Sequence, residues 1–257
     1  AGNDIVLLSD AIMAETYSAS DAEFTLNGNG YTISQAADCK NEYALFDITG
    51  GKISLSNVVF DGIKGGAVVR TVGAEFNADN VTAKNCEHTQ TQGLFRLCGK
   101  NTLTNCVFED NICNYVVTIN FDAKANETQL VKNCIFNENT CNDLAVLYYV
   151  DGAGATIDGN KFIKNSVKSS SNAATLYMGF TEDNVITNNL FENNKVTTTG
   201  TSKRATGGLM LGYEATVTGN AFIGNTVTGE NAKGNDVCAS VYYTDIDLSG
   251  NYWGGNA

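Results

Sequence analysis

The side chains able to do chemistry are few and scattered. The chain has one histidine, His88, in the polar run Glu87-His88-Thr89-Gln90-Thr91-Gln92, and three arginines, Arg70, Arg96 and Arg204. A lone imidazole can act as a general base only on a wall where it converges with other reacting groups, and a run this polar reads as a loop. Arg70 and Arg96 each follow an apolar run, which brings them near one another on the outside as solvated cations. Asp110 and Glu138 are the best-spaced acid pair. Two carboxylates hydrolyse a glycosidic bond when they divide the acid and base roles. Here Lys84 and Lys164 flank the pair in the same frame, so exposed ion pairs of about 0–1 kcal/mol are expected instead.

A second set joins aromatic residues to acids. Phe121-Asp122, Tyr149-Val150-Asp151, Phe180-Thr181-Glu182, Tyr213-Glu214 and Tyr243-Thr244-Asp245 each run from an apolar stretch into a turn acid. Strand alternation would turn Tyr148, Tyr177 and Tyr242 outward. Flat amphipathic rings stack on sugar faces and carboxylates accept hydroxyl hydrogen bonds. The candidate ligand-binding residues are therefore Tyr148, Tyr177, Tyr242, Asp122, Asp151, Glu182, Glu214 and Asp245, with a polysaccharide or surface glycan as the candidate partner. The competing reading is ordinary core and turn residues in register. No catalytic residue, metal ligand or cofactor is assigned.

These groups must be positioned by a repeat. Phe-x-x-Asn recurs at Phe108–Asn111, Phe136–Asn139, Phe162–Asn165, Phe191–Asn194 and Phe222–Asn225. Phe60, Thr82 and Trp253 continue the frame, giving slots at 60, 82, 108, 136, 162, 191, 222 and 253. Short strand-like runs separated by Asn, Gly, Thr and Asp fill each unit. A period of 22 to 31 residues with two or three strands fits one coil of a parallel β-helix. The fold class expected is all-β, a single-stranded right-handed parallel β-helix (solenoid) of about eight or nine coils. It forms one domain over 1–257, with 1–23 an N-terminal cap containing a short helix through Ile12 and Met13, and 24–257 the coils.

In a coiled stack each repeat position becomes a column. The aromatic slot faces inward; Asn85, Asn111, Asn139, Asn165, Asn194 and Asn225 form an amide ladder three residues on. Asn80, Asn160, Asn189, Asn220 and Asn251 form a second, two residues before the slot. Cys106 and Cys134 replace Asn in that column, and Cys113 and Cys141 replace Val five residues after the slot. One coil apart, each pair lies within disulfide reach. Buried thiols are the favoured reading of the eight cysteines, disulfides the alternative, and no CxxC metal spacing occurs.

The Phe-x-x-Asn segments, with Gly65-Gly66-Ala67-Val68 and Gly207-Gly208-Leu209-Met210, resemble the FxxN and GGA[I/L/V] motifs of polymorphic outer-membrane-protein repeats. The final Asn251-Tyr252-Trp253-Gly254-Gly255 is similar to the closing coil of β-helix adhesin-like surface proteins. The resemblance implies a secreted or surface-anchored, adhesin-like, non-catalytic domain. The alternative is a polysaccharide lyase or glycoside hydrolase of the pectate-lyase-like β-helix class, whose signature elements are not found.

Composition bounds the partners. The chain has 257 residues, a net charge of −12, 32 Asn, 26 Gly and no Pro. So acidic a chain argues against nucleic acid and anionic membranes, which require clustered Lys and Arg. No run is long and apolar enough to span a bilayer. An extracellular or cell-surface location is expected, with any signal peptide already removed.

Overall fold

The computed structural model describes residues 3–120, 127, 129–199, 204–229, 232, 234–239 and 246–254. The fold is all-β, a parallel β-solenoid built from three stacked sheets. Nine strands, Asn3–Val6 to Ala215–Thr218, form the first sheet, and ten, Ala11–Met13 to Tyr252–Gly254, the second. The third has thirteen. Strands pair with their counterparts one coil away, as Phe108 with Phe136 and Leu103 with Val131. With no proline, every residue can donate a backbone hydrogen bond along the stack. Among the described residues no helix is long and apolar enough to cross a membrane.

The N-terminal segment departs from the expected cap. Ala11–Met13 is a strand rather than a helix, and with Asn3–Val6 and Tyr17–Ser20 it completes a coil paired to the next. The apolar spacing around Ile12 is too short to sustain a helix against the ladder offered by Thr32–Gln35.

Inside, the rings stack face to face. Phe108, Phe136, Phe162, Phe191, Phe222 and Trp253 follow one another at centroid distances of 4.8–5.0 Å. Below Phe108 the register places Ala83 in the slot, not Thr82. That one-residue shift moves both flanking columns of this coil. Cys86, not Asn85, lies beneath the ladder and gives its backbone N–H to Asn111 Oδ1 at 2.9 Å. Asn80 and Asn85 are instead left-handed turn residues, both at φ 53°.

The ladder proper is fully bonded. Asn111, Asn139, Asn165 and Asn194 each donate an amide proton to the next Oδ1, ending at Asn225, over 2.9–3.0 Å. Each also donates to a backbone carbonyl of the preceding coil, as Asn165 does to Phe136 at 2.9 Å. The second ladder runs Asn160, Asn189, Asn220, Asn251 in the same manner. Buried amides satisfied on every side hold the coils in register. Asp110, Glu138 and Lys164 share the left-handed turn column with Asn85, at φ 52–54°. Glu138 meets Lys164 at 3.0 Å, while Lys84 lies one residue out of that column and reaches Asp61 at 3.8 Å.

All eight cysteines are buried free thiols. Cys113 and Cys141 are register partners with sulfurs 3.9 Å apart. Burial, then the neighbouring thiol, pushes Cys113 well above the ordinary thiol range, and Cys134 likewise beside Cys106.

The third sheet forks. In the eight-residue strand Ile112–Ile119, Cys113 pairs with Cys141 while Val117 pairs with Leu147. Every later coil therefore divides that side into two strands around a corner, as in Ser166–Ser169 and Ala174–Thr181. The longer C-terminal repeats use their extra residues here.

Candidate functional site on the outer face of the third sheet

One outward column crosses the third sheet. Its register runs Ser18, Asp47, Arg70, Arg96, Thr118, Tyr148, Tyr177, Met210, Cys238. Alternation creates it: Phe46, Val69, Phe95 and Leu147 point into the core, so their successors point away. The N-terminal part of the column is charged and the C-terminal part aromatic and apolar.

Tyr148 and Tyr177 leave the main core as expected, yet Tyr148 is buried and Tyr177 half-buried. Their rings stack at 5.0 Å, and Tyr115 stacks on the other face of the set at 5.6 Å from Tyr148. Leu144 and Val150 pack alongside, and Tyr148 is 8% exposed. Burial, then the Tyr177 and Asp143 charges, pushes the Tyr148 hydroxyl up to about 12. Tyr115 was not legible from the sequence pattern, because its Cα pairs with Gly93 and not with a tyrosine. Burial, together with a hydrogen bond to Asp143, raises its pKa further.

The turn acids do not join these rings. Asp151 is no turn residue but lies in the strand Ala145–Gly152, opposite Phe180, where it accepts the Gly152 N–H at 2.7 Å. Glu182 is exposed in the turn after Thr181. Glu214 lines a groove of about 650 Å³ with Asp183, Thr216 and Asp247, and among the described residues no tyrosine lines it. Tyr242, Asp122 and Asp245 lie outside the described residues.

The charged end of the column holds the cleft that sequence reasoning passed over. Glu42, Tyr43, Asp47, Ala67, Arg70, His88, Gln92 and Arg96 enclose about 410 Å³. Arg70 donates from Nη1 to Asp47 Oδ1 at 2.7 Å, with the two side chains 22% and 25% exposed. Arg96 stands one coil on, and it too is half-buried. Burial, with Arg70 as the next cause, lowers the Arg96 pKa to about 10. The expected solvated cations are thus partly enclosed, like-charged neighbours.

His88 also departs from the loop reading. Glu87–Leu97 is a strand whose register slips between His88 and Gly93, so that residues 89–92 stand opposite the single Asn114. The shift is a β-bulge, and Gln92 from it lines the cleft. His88 is 5% exposed, and its Nδ1 lies 2.7 Å from the Gly65 carbonyl, which fixes Nδ1 as the proton donor. Burial lowers its pKa and Arg96 lowers it further, against the opposing effect of that hydrogen bond. The paired glycines belong to this close packing: a Cβ on Gly66 would collide with Asn41 and Tyr43 of the coil before.

Comparison with known proteins finds no matching family model, no matching curated protein and no matching solved structure. Among the described residues no group of three or more His, Cys, Asp or Glu side chains is arranged to hold a metal.

Proposed function

We propose that this chain is a non-catalytic, adhesin-like β-helix domain of a secreted or cell-surface protein, which recognises a glycan on the outer face of its third sheet. The observation that carries the reading is the cleft of about 410 Å³ there, within the usual size range of small-ligand sites, about 300–1,000 Å³. It combines an exposed ring, Tyr43, with donors from Arg70, Arg96 and Gln92 and acceptors from Asp47 and Glu42. Sugars are recognised by that mixture of a flat apolar face and fixed polar groups. The rigid stack supports it, since a site on paired strands loses little conformational freedom on binding.

Tyr148 and Tyr177 extend the same column and are proposed as its continuation for a longer glycan, through the ring edges that their mutual stacking leaves over. Asp151, Glu182 and Glu214, with Tyr242, Asp122 and Asp245, stay candidates for flanking contacts. Screening the purified chain on a glycan array, alongside an assay for unsaturated or reducing sugars released from polysaccharides, tests the reading. Binding without cleavage is expected. Release of such sugars would replace it with the lyase or hydrolase alternative, and absence of binding to any glycan would overturn it.

A further inference from the structure

The glycan reading leaves the chemistry of the sugar open, and the cleft itself narrows it. Two guanidinium groups occupy adjacent coils in register, about 4.8 Å apart at the Cα atoms. Arg70 is held in place by Asp47. An Arg fork presents parallel N–H donors that match the two oxygens of a planar carboxylate, with more directional specificity than a lysine offers. The partial enclosure of Arg96 strengthens any such contact, because charge–charge attraction grows as water is excluded.

The remaining wall residues fit a sugar ring rather than a bare anion. Tyr43 is 71% exposed at the rim and offers a flat face. Gln92 and Glu42 offer a donor–acceptor pair and an acceptor for hydroxyl groups. Asp47 and Glu42 also set a limit, since two acids in the cleft, within a chain of net charge −12, repel a ligand with many negative charges. One carboxylate suits this balance; a polyanion does not.

Resting on the glycan reading above, we propose that the Arg70–Arg96 cleft binds a terminal acidic sugar, a glycan end carrying a single carboxylate. The carboxylate lies on Arg96 with Arg70 beside it, and the ring packs towards Tyr43. Sialic and uronic acids share this chemistry, and separate probes distinguish them.

Calorimetric titration of the purified chain with sialyllactose, a glucuronyl-terminated disaccharide, lactose and polygalacturonate tests the proposal. At least one of the two singly charged sugars is expected to bind, with its neutral counterpart at least tenfold weaker. Arg96→Gln should weaken that binding at least tenfold at an unchanged melting temperature, and Arg96→Lys less, because it keeps charge but loses the fork. Equal binding of neutral sugars, tighter binding of polygalacturonate, or an Arg96→Gln variant that binds like the parent would each overturn the carboxylate assignment while leaving glycan recognition standing. Failure of every acidic and neutral probe would count against both. If Arg96→Gln does not fold, competition on the parent protein decides: free glucuronate should displace the bound sugar and free glucose should not, and the reverse would overturn the proposal.

Discussion

Phe95 meets Phe108 edge-on, with ring centroids 5.1 Å apart and planes at 84°. The face-to-face column of rings ends at this contact. Ala83 holds the slot beneath Phe108, and the space its small side chain leaves is taken by Phe95 from the third sheet, which also touches Phe60 and Phe76. Core volume is conserved across the coil although its sequence pattern is broken. Ala83→Phe is therefore expected to overpack, costing about 1–3 kcal/mol. Adding Phe95→Ala should recover part of that loss, and a double-mutant cycle by urea denaturation measures the coupling. Additive effects would show that the two positions do not share one space.

The amide ladder should be costly to break in the middle. Asn165→Ala removes the acceptor used by both the backbone N–H and the side-chain amide of Asn139, and the donor to the Phe136 carbonyl. Three buried groups are left bare at about 1–3 kcal/mol each, so a loss of at least about 3 kcal/mol is expected. Chemical denaturation would give the figure, and a loss below about 1 kcal/mol would mean that water replaces the amide.

The thiols should be silent until the fold opens. Cys86, Cys113 and Cys134 are buried with pKa values raised chiefly by that burial, Cys86 to about 12. Thiolates are the reactive form, so a thiol reagent at pH 8 should leave these three unlabelled in the native protein and label them in guanidinium. Cys113→Val should be tolerated, since Val167 and Val196 fill the same column two and three coils on. Rapid native labelling at Cys113, read by mass spectrometry, would contradict the packing.

His88 makes stability depend on mild acid. Its folded pKa lies below the ordinary 6.5, so the unfolded chain takes up the proton first as pH falls. The contribution is fully present above about 6.5 and is lost as pH falls through the folded value. Melting temperatures measured from pH 7.5 to 5 should fall, and His88→Gln should flatten that part of the curve. An unchanged slope in the variant would assign the acid sensitivity to other groups.

The columns were readable in the sequence because the segment from ring to Asn keeps a constant length while the loops vary. Reading failed where a ring was absent. Thr82-Ala83-Lys84 offers no aromatic marker, and the true slot became visible only through strand pairing. The site was less legible for a related reason. The neighbourhood of Arg70 and Arg96 followed from the period, but His88 and Gln92, which help to line their cleft, belong to a strand whose extra polar residues look like a loop. Tyr148 and Tyr177 were found by alternation. Their covering was not, because side chains from a neighbouring strand and corner, Tyr115 and Leu144, supply it.

The fork after Ile112–Ile119 divides the molecule into two kinds of interchangeable part. Below it a coil presents one strand on the third side, and above it two. A duplicated or deleted coil therefore fits only among coils of its own kind, so the chain can lengthen by recombination within either half while the junction stays single. The arginine cleft lies below that junction, while the tyrosine stack starts on the junction strand itself with Tyr115 and climbs through Tyr148 and Tyr177 into the coils above it.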